Sequence, residues 1–324
     1  MTKVQYTNYG TPEVLRLVEV AKPTPGDHEL LIKIYATTVT ATECTFRKGE
    51  PKFTRIFTGL TKPKITSLGE ELSGVVEAVG KHVQGFVVGD EVFGTAGPEF
   101  GANAEYLCVS KDGVVAPKPF NLSHSEAASS VDGFLTALPF LRDHGKITKG
   151  QKVLINGASG SVGSAAIQIA KYYGAEVTGV CSTRNLDLVK AIGADHVIDY
   201  QHVDFWKLDE KYDIIFDTHG NLSFSTCKHV LTADGIFLLA AIGLSGILNA
   251  IWSSLFGRKK AKIAATGLRK PKERKKDLEL LKSLLETGII KPVIDRLSPL
   301  EDIVSAHAYV DTGRKRGNVV ITVS

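Results

Sequence analysis

A glycine-rich turn is the clearest chemical signal in the sequence. The apolar segment KVLIN at 152–156 runs into GASGSVG at 157–163, where a helical pattern begins. The amino end of a helix offers unpaired N–H groups and a positive dipole end, so it suits the pyrophosphate of a dinucleotide. Gly160 would let the backbone approach the phosphates, and Gly163 would let the helix pack against the strand. The alternative is a tight turn without a ligand. The predicted contacts are Gly157, Ala158, Ser159, Gly160, Ser161, Val162 and Gly163, with Ala158 replacing a glycine of the usual pattern.

The end of the next strand, EVTGVC at 176–181, indicates which dinucleotide binds. Enzymes that use NAD usually place Asp or Glu about 20 residues beyond the glycines, on the ribose 2′-hydroxyl. Here Ser182, Thr183 and Arg184 stand in that place, and no acid precedes Asp187. Hydroxyls and a guanidinium suit a 2′-phosphate, so the sequence predicts NADPH rather than NADH. The alternative for Arg184 is an ordinary cation at a helix start.

Alternating strands and helices surround these motifs. Six strand patterns are apolar on both faces, as a parallel sheet covered on both sides requires. We therefore predict an α/β, doubly wound, six-stranded parallel dinucleotide domain over 123–267. Its predicted strands are 152–157, 176–181, 196–199, 213–217, 235–240 and 262–266, and its helices include 162–173, 186–192 and 224–230.

The rest of the chain has β character. Short strand patterns separated by Gly and Pro predict a partly open barrel or sandwich. After a helix predicted at 275–286, the strand pattern NVVITV returns at 318–323, so residues 1–122 and 268–324 are assigned to one β-rich domain. The predicted N-terminal strands are 15–20, 29–40, 72–80, 90–94 and 104–110.

Composition excludes several classes of protein. With 324 residues, of which 43% are hydrophobic and 23% charged, the chain is globular rather than disordered. Its four cysteines form no C-x-x-C pair, which disfavours a zinc ribbon or a dithiol redox motif. The apolar run at 236–256 is interpreted as a strand and a helix at 244–256, not as a transmembrane segment. No signal sequence is visible, so we expect a cytoplasmic protein.

One strongly basic stretch needs an explanation. Residues 258–276 contain ten basic residues and one acid, although the net charge of the chain is only +4. Such a stretch could attract nucleic acid or an anionic membrane surface. No nucleic-acid motif accompanies it, so a solvated loop and helix face is the favoured interpretation, and binding of nucleic acid is not expected.

Several motifs together resemble the medium-chain dehydrogenase/reductase superfamily over nearly the whole chain. They are GEELSGVVEAVGKHVQGFVVGDEVFG, GFLTAL, KVLINGASGSVGSAAIQIAK, GADHVIDY and RGNVVITV. Within the superfamily the chain is most similar to quinone oxidoreductases and enone reductases. The resemblance implies a Rossmann domain, a β-rich GroES-like catalytic domain, and a homodimer.

The departures from the zinc enzymes of that superfamily imply a zinc-independent site. Glu70 stands where those enzymes carry a His ligand, and their first Cys ligand falls near Thr40, four residues before Cys44. The four-Cys lobe is absent. A metal held by Cys44, Glu70 and Glu71 remains the alternative.

Reduction of a quinone or an α,β-unsaturated carbonyl needs less help than alcohol oxidation. Hydride goes to an electron-poor carbon, and the oxygen takes a proton from water or one weak donor. By resemblance Thr42 is the candidate donor, with a strand Thr bonded to backbone as the alternative. Glu43 falls where quinone reductases carry an Asp, and its alternative is a structural partner for Arg47.

Further cofactor contacts follow from the resemblance alone. Thr136 would approach the nicotinamide ribose, Tyr200 the 2′-phosphate, and Asn318 the carboxamide. Ala240 and Ala241 would flank the nicotinamide, and Arg314 would help bind the 2′-phosphate. Two rival functions remain: an alcohol or aldehyde dehydrogenase of the same fold, and a redox-sensing binding protein that uses residues 258–276.

Overall fold

The computed structural model describes residues 1–240 and 258–324. The chain forms two compact units: the first contains residues 1–132, 270–287 and 292–324, and the second contains 133–269 and 288–291. Residues 123–132 thus lie in the first unit, although the sequence assigned them to the dinucleotide domain. Ala241 and the predicted helix at 244–256 lie outside the described residues.

Strands and helices are numbered along the described residues. The strands are β1 (Thr2–Gln5), β2 (Arg16–Glu19), β3 (Glu29–Val39), β4 (Glu71–Val79), β5 (Glu91–Thr95), β6 (Tyr106–Ser110), β7 (Val115–Pro117), β8 (Lys152–Asn156), β9 (Glu176–Cys181), β10 (His196–Asp199), β11 (Tyr212–Asp217), β12 (Leu231–Leu239), β13 (Lys260–Ile263), β14 (Ile294–Pro299) and β15 (Asn318–Thr322). The helices are α1 (Ala41–Lys48), α2 (Arg55–Thr58), α3 (His124–Ser129), α4 (Val131–Pro139), α5 (Ser161–Tyr172), α6 (Leu186–Ala191), α7 (Phe224–Cys227), α8 (Pro271–Glu286) and α9 (Ile303–Asp311).

A mixed sheet organises the first unit. Its strand order is β14-β15-β3-β4-β5-β7, and β6 also pairs with β3. The long central strand β3 has Leu30, Ile32 and Ile34 in the core because they alternate along one face. Strand β15 pairs antiparallel with β3, which confirms that the C-terminal segment returns to the N-terminal domain. Helix α3 packs against β3, β4 and β15, which explains why residues 123–132 join this unit.

A six-stranded parallel sheet organises the second unit, as predicted. Its order is β10-β9-β8-β11-β12-β13, the doubly wound order in which the chain reverses beside β8. The inner strands are apolar on both faces; Val153, Leu154 and Ile155 of β8 are fully buried. Helix α7 ends at Cys227 rather than at Val230, because Leu231 already pairs with Tyr212 of β11.

Helix α1 was not predicted as a helix, and it carries both catalytic candidates. The side chain of Thr40 accepts a hydrogen bond from the N–H of Glu43, which caps its first turn. Gly49 ends it in the left-handed conformation, with φ +61°. The sequence signals were therefore a capping threonine and a terminal glycine nine residues apart.

Candidate active site

The glycine turn joins β8 to α5 in the second unit. Gly157 adopts φ +76°, and a Cβ there would lie 2.7 Å from the Thr218 hydroxyl. At Gly163 a Cβ would lie 2.1 Å from the Gly157 carbonyl oxygen, so only glycine lets the helix start this close to the turn. Ser161, Val162 and Gly163 are the first residues of α5, and their N–H groups have no acceptor within the helix.

Gly160 tests whether this turn fits a phosphate group. Its φ of −79° and ψ of 178° suit any residue, so the backbone does not require glycine. An added Cβ would meet only the Gly157 carbonyl oxygen, at 3.5 Å, so protein packing does not require glycine either. The missing side chain leaves space beside the helix terminus, which fits the close approach of a dinucleotide pyrophosphate.

At the end of β9, Thr183 was expected to bind the cofactor 2′-phosphate, but its side chain has partners within the protein. Its hydroxyl donates to the carboxylate of Asp199, and its N–H donates to Gln201 Oε1 at 3.2 Å. The hydrogen bond from Thr183 is the main reason that the pKa of Asp199 is lowered. The Thr183 donor is thus already in use. Asp199 reaches this place from the neighbouring strand β10, so no local sequence pattern relates it to Thr183.

The other predicted residues at this edge lie close to one another. Asn185 is buried, and its amide nitrogen donates to Ser159 Oγ at 2.9 Å and to Ser182 Oγ at 3.2 Å. Tyr200 is exposed, and its N–H donates to the Cys181 carbonyl at 3.1 Å. Ser159, Ser182 and Tyr200 therefore belong to one edge of the sheet. Arg184 is exposed in the short turn that leads into α6, and it has interactions of its own.

A buried carboxylate organises the loop beside the glycine turn. Asp217, the last residue of β11, accepts hydrogen bonds from the N–H groups of His219, Gly220 and Leu222. It also accepts from the side-chain amide of Asn156 at 2.9 Å. The signal in the sequence was an acid at the carboxyl end of a buried strand, where backbone N–H groups have to satisfy it.

Predicted cofactor contacts also occur on other elements. In the second unit, Thr136 lies on α4, and Ala240 follows β12 and donates its N–H to the Asp217 carbonyl at 3.0 Å. In the first unit, Arg314 is exposed, whereas Asn318 is buried at the start of β15. The side-chain amide of Asn318 donates to the Val293 carbonyl at 3.2 Å, so this residue also has a structural role.

Helix α1 in the first unit places the two catalytic candidates on different faces, one exposed and one buried. Thr42 is exposed in the first turn, so the alternative of a strand threonine is wrong. Glu43 is fully buried, because adjacent helical residues point about 100° apart. Its predicted partner Arg47 instead forms an ion pair with Asp311 at 2.5 Å, so that alternative is wrong too.

Glu43 is the centre of a buried polar cluster. One carboxyl oxygen accepts the N–H of Glu70 at 3.2 Å, and the other lies 3.4 Å from the Asn103 amide nitrogen. His307 Nε2 is 3.9 Å from the second oxygen, and His307 Nδ1 is 3.4 Å from Cys44 Sγ. Burial raises the pKa of Glu43 well above its usual range and lowers that of His307 to about 3. His307 is therefore neutral at pH 7, and burial favours the protonated form of Glu43.

A second cluster of buried carboxyl groups contains Glu70 and Glu71. Glu70 pairs with Arg274 Nη2 at 3.5 Å, and Glu71 accepts the hydroxyl of Thr38 and the N–H of Asp132. Burial, followed by the nearby charge of Asp132, raises the pKa of both glutamates. No local pattern relates Asp132 and Arg274 to Glu70 and Glu71, since they are distant in the chain.

The alternative metal site is not assembled in the described part of the chain. There, no group of three or more His, Cys, Asp or Glu side chains is arranged to hold a metal ion. The Cys44 sulfur faces His307, the Glu70 carboxylate faces Arg274, and both Glu71 oxygens accept hydrogen bonds. Burial raises the pKa of the Cys44 thiol to about 12, which opposes formation of a thiolate ligand.

The basic stretch at 258–276 is distributed over several elements. Arg258 pairs with Asp234 at 3.0 Å, Lys262 donates to the His144 carbonyl at 2.6 Å, and Arg274 is buried beside Glu70. These cations serve contacts within their own units. Among the described residues, no helix is long and apolar enough to cross a membrane.

Comparison with known proteins decides the family. Residues 26–119 match the alcohol dehydrogenase GroES-like domain, and residues 192–321 match the zinc-binding dehydrogenase family. A 2-methylene-furan-3-one reductase of Solanum lycopersicum is 35% identical, over 98% of this chain and 77% of the relative. The chain belongs to the medium-chain dehydrogenase/reductase superfamily. The predicted fold class, a Rossmann domain plus a GroES-like domain, is confirmed.

Other members of the superfamily show the same agreement. The human quinone oxidoreductase is 31% identical, over 97% of this chain and 94% of the relative. The structure of the quinone oxidoreductase from Coxiella burnetii superposes with a TM-score of 0.89 at 29% identity, covering 100% of this chain and 99% of that one. As a member of this superfamily, the protein is an NAD(P)H-dependent oxidoreductase.

Proposed function

We propose that this protein reduces quinones or α,β-unsaturated carbonyl compounds with NADPH and without a metal ion. The observation that carries the substrate class is the agreement of its relatives over nearly the whole chain. They include the tomato furanone reductase, the human quinone oxidoreductase and an Arabidopsis thaliana NADPH-dependent alkenal/one oxidoreductase that is 30% identical over 98% of this chain and 78% of the relative. Members with zinc have a His at the position of Glu70, whose carboxylate here is paired with Arg274.

The residues of the glycine turn would hold the cofactor. The N–H groups of Ser161, Val162 and Gly163 would bind the pyrophosphate, and the missing side chain of Gly160 would leave space for it. When bound, the nicotinamide supplies a hydride to the electron-poor carbon of the acceptor. Because the Thr183 hydroxyl is bonded to Asp199, the preference for NADPH rests on Arg184, Ser182 and Tyr200.

A proton then has to reach the substrate oxygen. Thr42 is the donor in this proposal, since its hydroxyl is exposed on the first turn of α1. Glu43 supports the helix from its buried face, because its carboxyl group accepts the N–H of Glu70 and so ties α1 to that backbone. A cytoplasmic location and a homodimer remain predictions from the sequence.

A panel of reactions tests this proposal. Oxidation of NADPH is followed by its absorbance at about 340 nm, at constant salt and buffer. Quinones, enones, aldehydes and alcohols are each offered as substrates, before and after treatment with a chelator. We expect turnover of quinones or enones that is indifferent to the chelator. Stoichiometric zinc whose removal abolishes activity, or turnover of alcohols alone, would contradict the proposal.

A substitution tests the donor. Thr42→Val should lower kcat about 100-fold, within the range of general acid catalysis, and leave KM for NADPH unchanged. Thr45→Val, on the same helix, is the matched control. An unchanged kcat for Thr42→Val would assign the proton to water.

A further inference from the structure

An exposed apolar and basic surface in the first unit has no part in the proposed chemistry. It belongs to residues 51–69, which connect α1 to β4 and contain α2. Ile56 is 71% exposed and Leu60 is 72% exposed. Large aliphatic side chains exposed to this extent, close together in sequence, are typical of interaction surfaces. We call residues 51–69 the docking segment.

The backbone around these side chains is held in place. The Tyr9 hydroxyl lies 2.8 Å from Thr58 Oγ1 and donates to the Gly59 carbonyl at 2.6 Å. Arg55 Nε donates to the Gly49 carbonyl at 2.9 Å, and its guanidinium stacks 4.6 Å from the centre of the Tyr9 ring. Ile56 and Leu60 are thus presented to solvent by an ordered frame.

The turn between Ile56 and Leu60 also has a fixed conformation. Gly59 adopts φ +120°, and a Cβ there would lie 2.1 Å from the Lys62 carbonyl oxygen. The Lys64 N–H donates to the Thr58 carbonyl at 2.6 Å, which closes the turn. Thr58 and Pro63 are buried, whereas Leu60 at the tip is exposed. The exposure of Leu60 is therefore built into the conformation of the turn.

The charge of the docking segment indicates what it contacts. It contains Lys52, Arg55, Lys62 and Lys64 and no acidic residue. Lys52, Lys62 and Lys64 are exposed, and among the described residues no carboxylate lies within ion-pair distance of them. Apolar side chains surrounded by cations match a lipid surface, where aliphatic groups enter the acyl boundary and cations meet anionic headgroups.

We propose that the docking segment binds the protein peripherally to anionic lipid bilayers. Ile56 and Leu60 insert at the interface, and Lys52, Lys62 and Lys64 face the lipid phosphates and carboxylates. Such binding is reversible and depends on salt, because few apolar groups insert and the charges are screened.

Another exposed pair in the same unit provides a matched control. Val87 and Val88 are 64% and 62% exposed, which are fractions close to those of Ile56 and Leu60. They are followed by Asp90 and Glu91, and residues 82–99 contain no Lys or Arg. If apolar exposure alone caused membrane binding, this pair would contribute as well; if the proposal is right, it contributes nothing.

Co-sedimentation of the full-length protein with vesicles tests the proposal. The vesicles are phosphatidylcholine alone, or phosphatidylcholine with about 30 mol% phosphatidylserine. We expect binding only to the anionic vesicles, and loss of it when NaCl rises from about 50 to about 300 mM. Lys52→Gln/Lys62→Gln/Lys64→Gln should weaken partitioning about 100-fold. Ile56→Ser/Leu60→Ser should weaken it at least about 10-fold, and Val87→Ser/Val88→Ser less than about twofold.

Other results would overturn the proposal. Equal binding to both vesicle types, or equal losses from the two apolar double variants, would show nonspecific adsorption. If no vesicle is bound and Ile56→Ser/Leu60→Ser instead lowers kcat/KM for a water-soluble quinone, the segment contacts substrate. If that variant instead changes the mass measured by light scattering, the segment contacts a second copy. Each variant is first shown to melt like the parent protein.

Discussion

The glycine turn of the second unit and the carboxyl clusters of the first unit present opposite chemistry. The turn offers N–H donors and the positive end of α5, with open space at Gly160. The clusters around Glu43 and Glu71 are buried acids, and burial and nearby charge raise their pKa, which favours their protonated forms. One region is suited to bind an anion, and the other is a buried scaffold that disfavours negative charge. Substitutions can test each half of this comparison.

The largest effect is expected at the glycine turn. Gly160→Val should lower the affinity for NADPH about 100-fold or more, because the side chain fills the space left for the phosphates. Its thermal stability should stay close to that of the parent, since the protein itself leaves room there. Titration calorimetry and a melting curve measure the two quantities.

Gly163→Ala is the matched contrast at the same turn. The new Cβ would lie 2.1 Å from the Gly157 carbonyl, so the free energy of unfolding should fall by about 1–3 kcal/mol. If Gly160→Val destabilises the protein as much as Gly163→Ala does, the space at Gly160 is needed by the fold and not by a ligand.

The next largest effect concerns the choice of cofactor. Arg184→Ala should weaken binding of NADPH about 10- to 100-fold, the loss of a charge-assisted hydrogen bond, and leave binding of NADH within about twofold. Lys190→Ala, on the following helix, is the control. Equal affinities of the parent protein for NADPH and NADH would refute the predicted preference.

A smaller effect distinguishes a neutral Glu43 from an ionised one. Glu43→Gln keeps an acceptor for the N–H of Glu70, so kcat and its pH profile should change by less than about threefold. Glu43→Ala leaves that buried N–H without an acceptor and should cost about 1–3 kcal/mol of stability. A loss of more than about tenfold in kcat for the Gln variant would show that the ionised carboxylate takes part in catalysis.

A further effect concerns the pH dependence of stability. The pKa values of Glu70 and Glu71 are raised from 4.5 to about 7 and about 8, so the folded state binds these protons more tightly than the unfolded state. Their contribution therefore falls as the pH rises from about 4.5 to 8, by at most about 1.4 kcal/mol per pH unit for one proton. Glu71→Gln should flatten urea unfolding free energies between pH 5 and pH 9, and the exposed Glu99→Gln should not. A parallel shift of the whole curve would mean that Glu71 does not titrate in this range.

The two regions also differ in how far the sequence predicted them. The turn is contiguous, so strand, glycines and helix could be recognised from spacing, and all six parallel strands were predicted. At Thr183 the prediction missed Asp199, because pairing of β10 with β9 brings it there. Glu43, Asn103 and His307 come from three distant parts of the first unit, and no local pattern relates them. Helix α1 was missed because a β-rich run leads directly into it.

The pairing of β15 with β3 has a consequence for biosynthesis. Strand β3 is made early, but its partner at 318–322 leaves the ribosome only after the whole second unit has been made. Until then residues 36–39 of β3 lack their partner strand, and an open strand edge of this kind associates with other chains. Residues 133–269 are continuous and can fold first, so the β-rich unit is expected to need chaperone protection during translation and to be the part that misfolds when the C-terminal strand is truncated.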